Sequence, residues 1–476
     1  MKNLLFIFSF VIILLSFSNK SINTSLPAND TNGLIIDTLA KNLNVPWSFA
    51  FTDDTTLLFT ERNGKVRLMR NYSLIEKPVI DLKDVELNTK MGLLSICIHP
   101  DFKMNNQVYL AYNYKKDGQD LLRIVRYVFS KDSLWQPLII VEGIYANRNH
   151  TGCRLLFDKE KKLYISTGDA DMPRLAQDLK SLNGKILRVN DDGSIPADNP
   201  FVNNDTARKQ IWTYGHRNSQ GIAFQPETGK LYSSEHGPVG GDEINQIVKD
   251  KNYGWPIVHH KEIKEGFVSP IMEFTPSIGP SELIFYNKDL FPELKGNLLM
   301  ANLRNESIMR FNVNNDKVVR LDNLLTNTYG RLRVLTVAPD GSLIVSTSEN
   351  DPPEGRFKPG YDLILRIRPN KGKSIVKTNK VVPKKNTIKK TATTHTSAGR
   401  IVYMNFCASC HGADLKGTKA AQSLKDNKWL YGSSRNDIIR STKKGIVSKG
   451  MPAWEGALTE QQIVNVVNYI IQSNKK

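Results

Sequence analysis

Residues 158–167 read DKEKKLYIST, a charged turn followed by a short run of apolar and hydroxyl side chains. A short run rich in β-branched and aromatic residues, placed directly behind a turn, predicts a β-strand. Five further runs of this type lie at residues 57–60, 108–112, 231–234, 298–301 and 343–347. Neighbouring runs are about 45 to 70 residues apart, a period that favours propeller blades of four strands each.

Residues 34–369 are therefore predicted to form an all-β, six-bladed β-propeller. Long helical stripes are absent from this range, which disfavours an α/β barrel. Hydrophobic residues make up 40% and charged residues 24% of the 476 residues. This composition excludes a collagen, a wholly disordered chain and a multi-span membrane protein.

The last part of the chain, residues 398–476, changes to a helical period. Thr459-Glu-Gln-Gln462 is a capping box, which predicts the start of a helix. Apolar residues then recur at helical spacing, at Ile463, Val464, Val467, Ile470 and Ile471. An earlier helix is predicted to end at Cys407, so this segment should form a small all-α domain.

Cys407-Ala-Ser-Cys410-His411 is the attachment motif of a c-type haem. Its two thiols add across the porphyrin vinyl groups, and the adjacent imidazole of His411 is held under the iron. Met451, in a Gly-Met-Pro segment before the last helix, is the predicted second iron ligand. The arrangement resembles small class I cytochromes c, in which a glycine and aromatic residues mark the crossing of the first and last helices. Gly399, Tyr403 and Tyr469 suit that crossing.

The segment between the two predicted domains is strongly basic. The chain carries a net charge of +18, and residues 371–390 contain eight lysines and no acid. Residues 370–397 are predicted to be a Lys/Thr-rich linker, extended by its own repulsion. Aromatic residues do not interleave with the lysines, so nucleic acid is not expected as a partner. A loose association with an anionic membrane surface is the alternative use of this charge.

Residues 1–20 are predicted to be a secretory signal peptide. Lys2 precedes an apolar run from Leu4 to Leu15, which is too short for a comfortable membrane span. No clear cleavage site follows the run, so an uncleaved membrane anchor is the alternative. A covalent haem independently indicates export, and we expect a periplasmic protein.

Several polar clusters in residues 34–369 match one known family in order. They include Asn149-His150-Thr-Gly-Cys-Arg154, Ser166-Thr-Gly-Asp169, Tyr214-Gly-His216-Arg217-Asn218, Ser234-Glu-His236-Gly237-Pro238, Asn252-Tyr-Gly-Trp-Pro and Gly330-Arg331-Leu-Arg333. These segments resemble the soluble quinoprotein glucose dehydrogenase and aldose sugar dehydrogenase family. The resemblance implies a six-bladed propeller that binds pyrroloquinoline quinone (PQQ) and calcium.

The resemblance also implies roles for individual residues. His150 would be the general base for the C1 hydroxyl of an aldose, with Asp169 fixing its tautomer. Arg217 would stabilise the charge that hydride arrival creates on the quinone. The backbone carbonyls of Gly237 and Pro238 would bind calcium. The residues implied to bind PQQ are Lys90, Asn149, Arg217, Asn218, Ser277, Arg304, Arg331 and Arg333.

Some of these positions depart from the glucose-specific members of the family. Lys90 replaces a glutamine, Asn149 an aspartate, Ser277 a threonine, Arg304 a lysine and His236 a glutamine. These changes put the sugar specificity and the affinity for PQQ in question.

The sequence thus predicts a periplasmic quinohaemoprotein that oxidises an aldose to its lactone. Electrons would pass from PQQ to the haem and then to a downstream carrier. Two alternatives are a calcium-dependent propeller lactonase or hydrolase and a carbohydrate-binding propeller, each with an accessory cytochrome. His216 and His236 are expected to be structural neighbours. For Cys97 and Cys153, buried thiols and a disulfide both fit the sequence.

Overall fold

The structure is a computed structural model. It describes residues 29–31, 33–238, 240–314, 317–349, 351, 362–370 and, with short gaps, 399–474. The predicted signal peptide and nearly all of the predicted linker lie outside the described residues.

The described part of residues 29–370 is almost entirely β-sheet. Its strands are β1 (Asn29–Thr31), β2 (Leu34–Ala40), β3 (Pro46–Phe51), β4 (Thr56–Glu61), β5 (Lys65–Arg70), β6 (Ser73–Leu74), β7 (Ile80–Asp81), β8 (Leu93–Ile98), β9 (Gln107–Lys116), β10 (Gln119–Ser130), β11 (Ser133–Tyr145), β12 (Leu155–Phe157), β13 (Lys162–Thr167), β14 (Lys185–Asn190), β15 (Ile211–Tyr214), β16 (Ser219–Phe224), β17 (Leu231–Glu235), β18 (Asp242–Ile247), β19 (Met272–Phe274), β20 (Pro280–Phe285), β21 (Leu298–Asn302), β22 (Ser307–Asn314), β23 (Lys317–Leu324), β24 (Leu332–Val337), β25 (Leu343–Thr347) and β26 (Ile364–Pro369). Short helical segments lie at α1 (Phe102–Asn105) and at two 3₁₀ turns (Pro173–Ala176 and Pro292–Leu294).

These strands form six antiparallel sheets, which confirms the predicted six-bladed propeller. Five blades are consecutive along the chain: β3 to β6 with β7, β8 to β11, β12 to β15, β16 to β19, and β20 to β23. The sixth blade combines both ends of this part of the chain, in the order β24-β25-β26-β2-β1. Strand β2 therefore joins the last blade by pairing with β26, from Leu34 opposite Pro369 to Ala40 opposite Ile364.

Burial falls from the inner to the outer strands of a blade. Strands β4 and β25 are buried along their whole length, because blades pack against both of their faces. The outer strand β23 alternates buried and exposed side chains, the pattern of a strand with one face in solvent. The first strand of each blade is the innermost one, and its side chains lie around the central axis.

The C-terminal domain is helical. Its helices include α2 (Ala408–His411), α3 (Arg435–Lys444) and α4 (Glu460–Ser473). Residues 399–400, 402–404 and 406 are also helical. Ser434 caps α3 through a bond from the Asp437 amide to its Oγ of 3.1 Å, a capping box that the sequence analysis had missed. The predicted cap at Thr459 lies outside the described residues.

The predicted helix crossing is found at Gly399. A Cβ atom there would lie 2.1 Å from the Asn465 carbonyl oxygen, so only glycine permits this approach of the first and last helices. The rings of Tyr403 and Tyr469 lie beside it, 5.4 Å apart between centroids. Among the described residues, no helix is both long and apolar enough to cross a membrane.

Closure of the ring gives a stability prediction. Ile36 is 4% exposed in the core of the last blade, whereas its neighbour Ile35 points to the other, half-buried face of β2. We expect Ile36→Ala to reduce the free energy of unfolding by about 2–5 kcal/mol. Ile35→Ala should cost clearly less, as measured by thermal unfolding of the two variants. Equal losses would contradict the register in which β2 closes the ring.

Candidate functional site

All the predicted propeller site residues lie on one face of the ring. Each comes from a loop that enters the first strand of a blade, from the start of that strand, or from a loop that joins the second and third strands. His150 and Arg217 lie on loops that enter a first strand, and Asp169 and Arg304 lie on loops between the second and third strands. In a four-stranded antiparallel blade these two kinds of loop open on the same side, so all six blades contribute to one mouth.

The predicted base and its orienting carboxylate are in direct contact. His150 Nδ1 lies 2.7 Å from Asp169 Oδ1, and the Asp169 side chain is fully buried. Asp171 approaches the same ring nitrogen at 3.1 Å. Since both carboxylates face Nδ1, that nitrogen holds the proton, and Nε2 keeps its lone pair for a substrate. Gly168 permits this geometry, because a Cβ there would lie 1.9 Å from the His150 carbonyl oxygen.

Arg217 lies beside this pair. Its Nη1 donates to the His236 carbonyl at 3.1 Å, and its guanidinium carbon lies 5.3 Å from the centre of a Trp255 ring. Burial lowers the pKa of Arg217, while the charges of Asp169 and Glu235 oppose that shift. Its Nε is buried without a hydrogen-bond partner among the described residues. Asn218 Oδ1 accepts from the Gly152 amide at 3.2 Å, which ties the loop before β16 to that of His150.

A cluster of cations lies across the mouth from His150. Asp351 accepts hydrogen bonds from Arg62 Nη1 and Arg333 Nη2, and its carbonyl accepts from Arg331 Nη2 at 3.0 Å. Lys90 also faces this carboxylate, whose charge opposes the lowering of the lysine pKa by burial. Asp351 thus faces four cations, and Glu349 is a second carboxylate beside Arg331.

Burial and the neighbouring charges shift the pKa values within this cluster. Burial lowers the pKa of Arg333 to about 10, even though Asp351 opposes the shift. For Asp351 burial alone would raise the pKa, but Arg333, Arg62 and Lys90 hold it below its usual value. Arg331 Nε is buried without a partner among the described residues. A multiply anionic, carboxylate-bearing ligand fits this surface, and PQQ is such a ligand.

The predicted calcium loop is tightly folded. A Cβ on Gly237 would lie 2.2 Å or less from the carbonyl oxygens of Gly240 and Gly241, so backbone oxygens crowd this turn. The Gly237 amide donates to Asp242 Oδ1 at 2.9 Å, and Ser277 Oγ donates to Asp242 Oδ2 at 2.7 Å. Gly237 and Pro238 line the mouth, and their carbonyls are of the hard oxygen type that calcium prefers. The structure thus gives the Ser277 hydroxyl a bond to the loop in addition to its predicted place near PQQ.

The two predicted structural histidines differ in position. His216 is fully buried between Glu235 and Thr213, with its Nδ1 2.9 Å from Glu235 Oε2. His236 lines the mouth, and burial together with the charge of Arg217 lowers its pKa. Cys97 and Cys153 are free thiols in the structure.

The haem motif faces a crevice in the C-terminal domain. His411 Nδ1 lies 3.0 Å from the Gln422 carbonyl oxygen, which leaves Nε2 for the iron. Met451 is held by paired backbone bonds with Ile446, at 2.8 and 3.2 Å. The crevice walls are large apolar side chains, including Trp429, Trp454 and Ile470. Cys407, Cys410, His411 and Met451 line it together, so the residues present fit a covalently bound haem.

The haem crevice and the propeller mouth are parts of one cavity. Its volume is 1280 Å³, and its lining runs from Lys90, His150 and Arg333 to Cys407 and Met451. Asn149, Ser277 and Arg304 also line it. The predicted PQQ residues and the predicted haem ligands therefore open onto the same space.

Four residues of this site were missed in the sequence analysis. Asp351 and Arg62 come from loops without a motif, and no sequence signal identifies them. Asp171 lies two residues after Asp169, on the same loop. Trp255 belongs to the Asn252-Tyr-Gly-Trp-Pro segment, which was noted for its resemblance but given no role.

Comparisons with known proteins agree with this geometry. Residues 43–356 match the family described as glucose / sorbosone dehydrogenase, and residues 394–470 match cytochrome c oxidase, cbb3-type, subunit III. Aldose sugar dehydrogenase YliI of Escherichia coli is 34% identical over 334 residues, covering 66% of this chain and 90% of that protein. A subunit CcoP of the cbb3-type oxidase of Rubrivivax gelatinosus is 34% identical over 73 residues, covering 15% of this chain and 24% of that protein.

Solved structures give the same answer. The PQQ-bound aldose sugar dehydrogenase of Streptomyces coelicolor superposes with a TM-score of 0.63 at 30% identity, covering 71% of this chain and 99% of that one. The apo-form of the E. coli enzyme gives a TM-score of 0.66 at 32% identity, with coverages of 71% and 99%. The chain belongs to the glucose/sorbosone dehydrogenase family and carries a C-terminal cytochrome c domain. It is an oxidoreductase of the sugar dehydrogenase type.

The cation cluster gives a prediction for the cofactor-free protein. Asp351→Asn removes the carboxylate that faces Arg62, Lys90, Arg331 and the buried Arg333, and it should cost about 3–5 kcal/mol of unfolding free energy at neutral pH. Because the pKa of Asp351 is lowered in the folded state, the stability it contributes is present above about pH 4 and is lost as the pH falls further. Thermal unfolding of wild type and variant should therefore converge in acid.

The matched control is Asp132→Asn. It breaks an Asp–Arg pair with Arg70 in which both side chains are more than 40% exposed. A surface pair contributes about 1 kcal/mol or less. An Asp351→Asn variant that unfolds no earlier than this control would show that the cluster does not need its carboxylate.

Proposed function

We propose that this protein is a periplasmic quinohaemoprotein that oxidises an aldose at C1 to the lactone. Two electrons and two protons leave the sugar in this reaction, and the electrons reach a downstream carrier through the cytochrome domain. The observation that carries the proposal is the single cavity that His150, the cation cluster and the haem ligands line together.

His150 is the proposed general base. Its Nε2 takes the proton of the C1 hydroxyl, and the imidazolium that forms is stabilised by Asp169 at Nδ1. Asp169 is fully buried, so its charge acts in a medium that screens it poorly. Asn149, which precedes the base, donates to Asp171 Oδ2 at 3.0 Å and keeps that second carboxylate in place.

The cation cluster is the proposed PQQ site. When bound, PQQ would supply the hydride acceptor of the reaction. Arg331, Arg333, Arg304 and Lys90 would hold its carboxylates, because the pocket has an excess of buried positive charge that an anion relieves. Arg217, with Asn218 beside it, would face the quinone oxygen, where the buried Nε of Arg217 offers an unused donor.

Calcium is the proposed second cofactor. The carbonyls of Gly237 and Pro238 would hold it, and the bonds that the Gly237 amide and the Ser277 hydroxyl donate to Asp242 fix the turn that presents them. Oxygen donors from a rigid backbone turn suit this ion.

The cytochrome domain is the proposed electron outlet. A haem held by His411 and Met451 would carry one electron at a time and has no open position for a substrate. The basic linker, residues 370–397, would let the domain reach both the propeller mouth and an external acceptor. The same charge would support a loose association with an anionic membrane surface.

Export to the periplasm is proposed from residues 1–20 and from the requirement of a covalent haem. If the N-terminal segment is not removed, the protein would be held at the membrane.

The hydrolase and binding-module alternatives are less well supported. A propeller hydrolase needs carboxylates around a central metal, whereas Lys90, Arg331 and Arg333 meet here. A carbohydrate-binding module has no need of an oriented base such as the pair of His150 and Asp169.

The base assignment predicts a specific loss. His150→Gln should lower kcat/KM for the preferred aldose by about a hundred- to ten-thousand-fold, because no other group replaces the base. PQQ binding, followed by absorbance, should change little. The matched control is His259→Gln, since His259 is an exposed histidine near the mouth. Comparable activity in the two variants would contradict the assignment.

The relay can be tested on the intact protein. PQQ, calcium and an aldose would be added without oxygen while the reduced haem absorbance is followed. We expect haem reduction only with all three present, at a rate that does not depend on protein concentration. Turnover with an artificial dye while the haem stays oxidised would refute the relay but keep the dehydrogenase. No reduction of either would refute both.

A further inference from the structure

We propose that Trp255 is a positioning residue that fixes the base and the quinone-facing arginine together. One indole contacts both halves of the site. Its Nε1 donates to Asp169 Oδ2 at 2.8 Å, and its face lies under the Arg217 guanidinium, 5.3 Å from ring centre to guanidinium carbon. The inference rests on the proposed function for its kinetic part only.

The two oxygens of the Asp169 carboxylate have different donors. Oδ1 accepts from His150 Nδ1 at 2.7 Å and from the Asp171 amide at 2.9 Å. Oδ2 accepts from the Trp255 indole. Because Asp169 is fully buried, each of its oxygens needs a donor. The indole therefore prevents the carboxylate from turning away from the histidine.

Trp255 is itself held in a fixed position by hydrogen bonds. Its segment lies between β18 and β19 of the fourth blade, yet it is bound to the third. The Trp255 amide donates to the Gly215 carbonyl at 2.9 Å, and its own carbonyl accepts from Gln177 Nε2 at 2.7 Å. Gln177 also exchanges two side-chain hydrogen bonds with Asn252, at 2.8 and 3.0 Å. A residue held at both backbone ends can impose a fixed position on the groups it touches.

The indole also affects the bond between Asp169 and His150. The charged groups that face His150 are Asp169 and Asp171 from the loop after β13, and Arg217 from the loop before β16 interacts with both. The indole hydrogen bond draws charge from Asp169. Without it, the carboxylate would accept more strongly from the Nδ1 proton of His150.

The two functions of the ring can be separated by substitution. Trp255→Phe removes the N–H donor and keeps an aromatic face for Arg217. Trp255→Leu removes both. Trp135→Phe serves as the matched control, since Trp135 is 59% exposed on the outer strand β11, away from the mouth.

The first measurement needs neither cofactor nor turnover. In the cofactor-free protein, the Nδ1 proton of His150 should give a low-field NMR signal, assigned by its loss in His150→Gln. Trp255→Phe should shift or broaden this signal, because the carboxylate that accepts the proton has lost its indole donor. Trp135→Phe should leave the signal unchanged. An unaltered signal in Trp255→Phe would overturn the proposal, whatever the activity of the protein.

The second measurement uses the PQQ-loaded enzyme. The value of kcat/KM for the preferred aldose should fall in Trp255→Phe and stay at the wild-type level in Trp135→Phe, because only the first variant removes a donor from the carboxylate that orients the base. PQQ affinity should be near wild type in Trp255→Phe and several-fold weaker in Trp255→Leu, because only the latter loses the cation–π contact. Equal PQQ affinities in the two variants would show that Trp255 does not position Arg217.

A double-variant cycle guards against a general loss of structure. If Trp255 acts through Asp169, adding Trp255→Phe to Asp169→Asn should change kcat/KM much less than it does in the wild type. Fully additive losses would show that the tryptophan is only a structural residue.

Discussion

Each blade of the ring runs its strands up and down in turn, starting at the channel. The loop into the first strand and the loop between the second and third strands must therefore open on the same face. This constraint brings together His150, Asp169, Arg217 and Asp351, which come from three blades. It also brings Arg62 to Asp351, although the two residues are 289 positions apart in sequence. The opposite face carries the loops from first to second and from third to fourth strands, and no predicted propeller site residue lies there.

Two arginines of the central channel pack on one aromatic ring. Arg154 and Arg333 lie over the Trp47 ring, with guanidinium carbons 4.4 and 5.5 Å from its centroid. Arg154 is buried and paired with Glu282 at 2.7 Å. Removing either partner of this ion pair would leave the other as an unpaired buried charge, so the two residues depend on each other for stability.

The local features of this protein could be predicted from its sequence, whereas few of the contacts between distant residues could. The six strand units and the Cys407–His411 motif depend on short-range patterns, and the helix crossing at Gly399 follows from a resemblance. The role of Asp351 depends on four cations, of which Arg62 and Lys90 meet it only in the closed ring, so no local pattern could indicate it. Trp255 was hidden for a related reason, because its segment leaves its own blade and is bound to the neighbouring one. Ser277 was assigned by resemblance alone, and its bond to Asp242 became visible only with the loop geometry.

The closing strand of the ring is also the point at which the cytochrome is attached. Strand β26 lies between β25 and β2, and the amide of the next residue, Asn370, donates to the Gly33 carbonyl at 2.8 Å. Tension exerted by the tethered domain would run along β26 and be resisted by two hydrogen-bonded ladders loaded in parallel. A ladder pulled along its length must break many bonds at once, whereas one peeled from an end loses them singly. The pairing of β26 with β25 and β2 therefore both closes the propeller and resists pulling by the attached domain. It lies in the blade that also supplies Arg331 and Arg333.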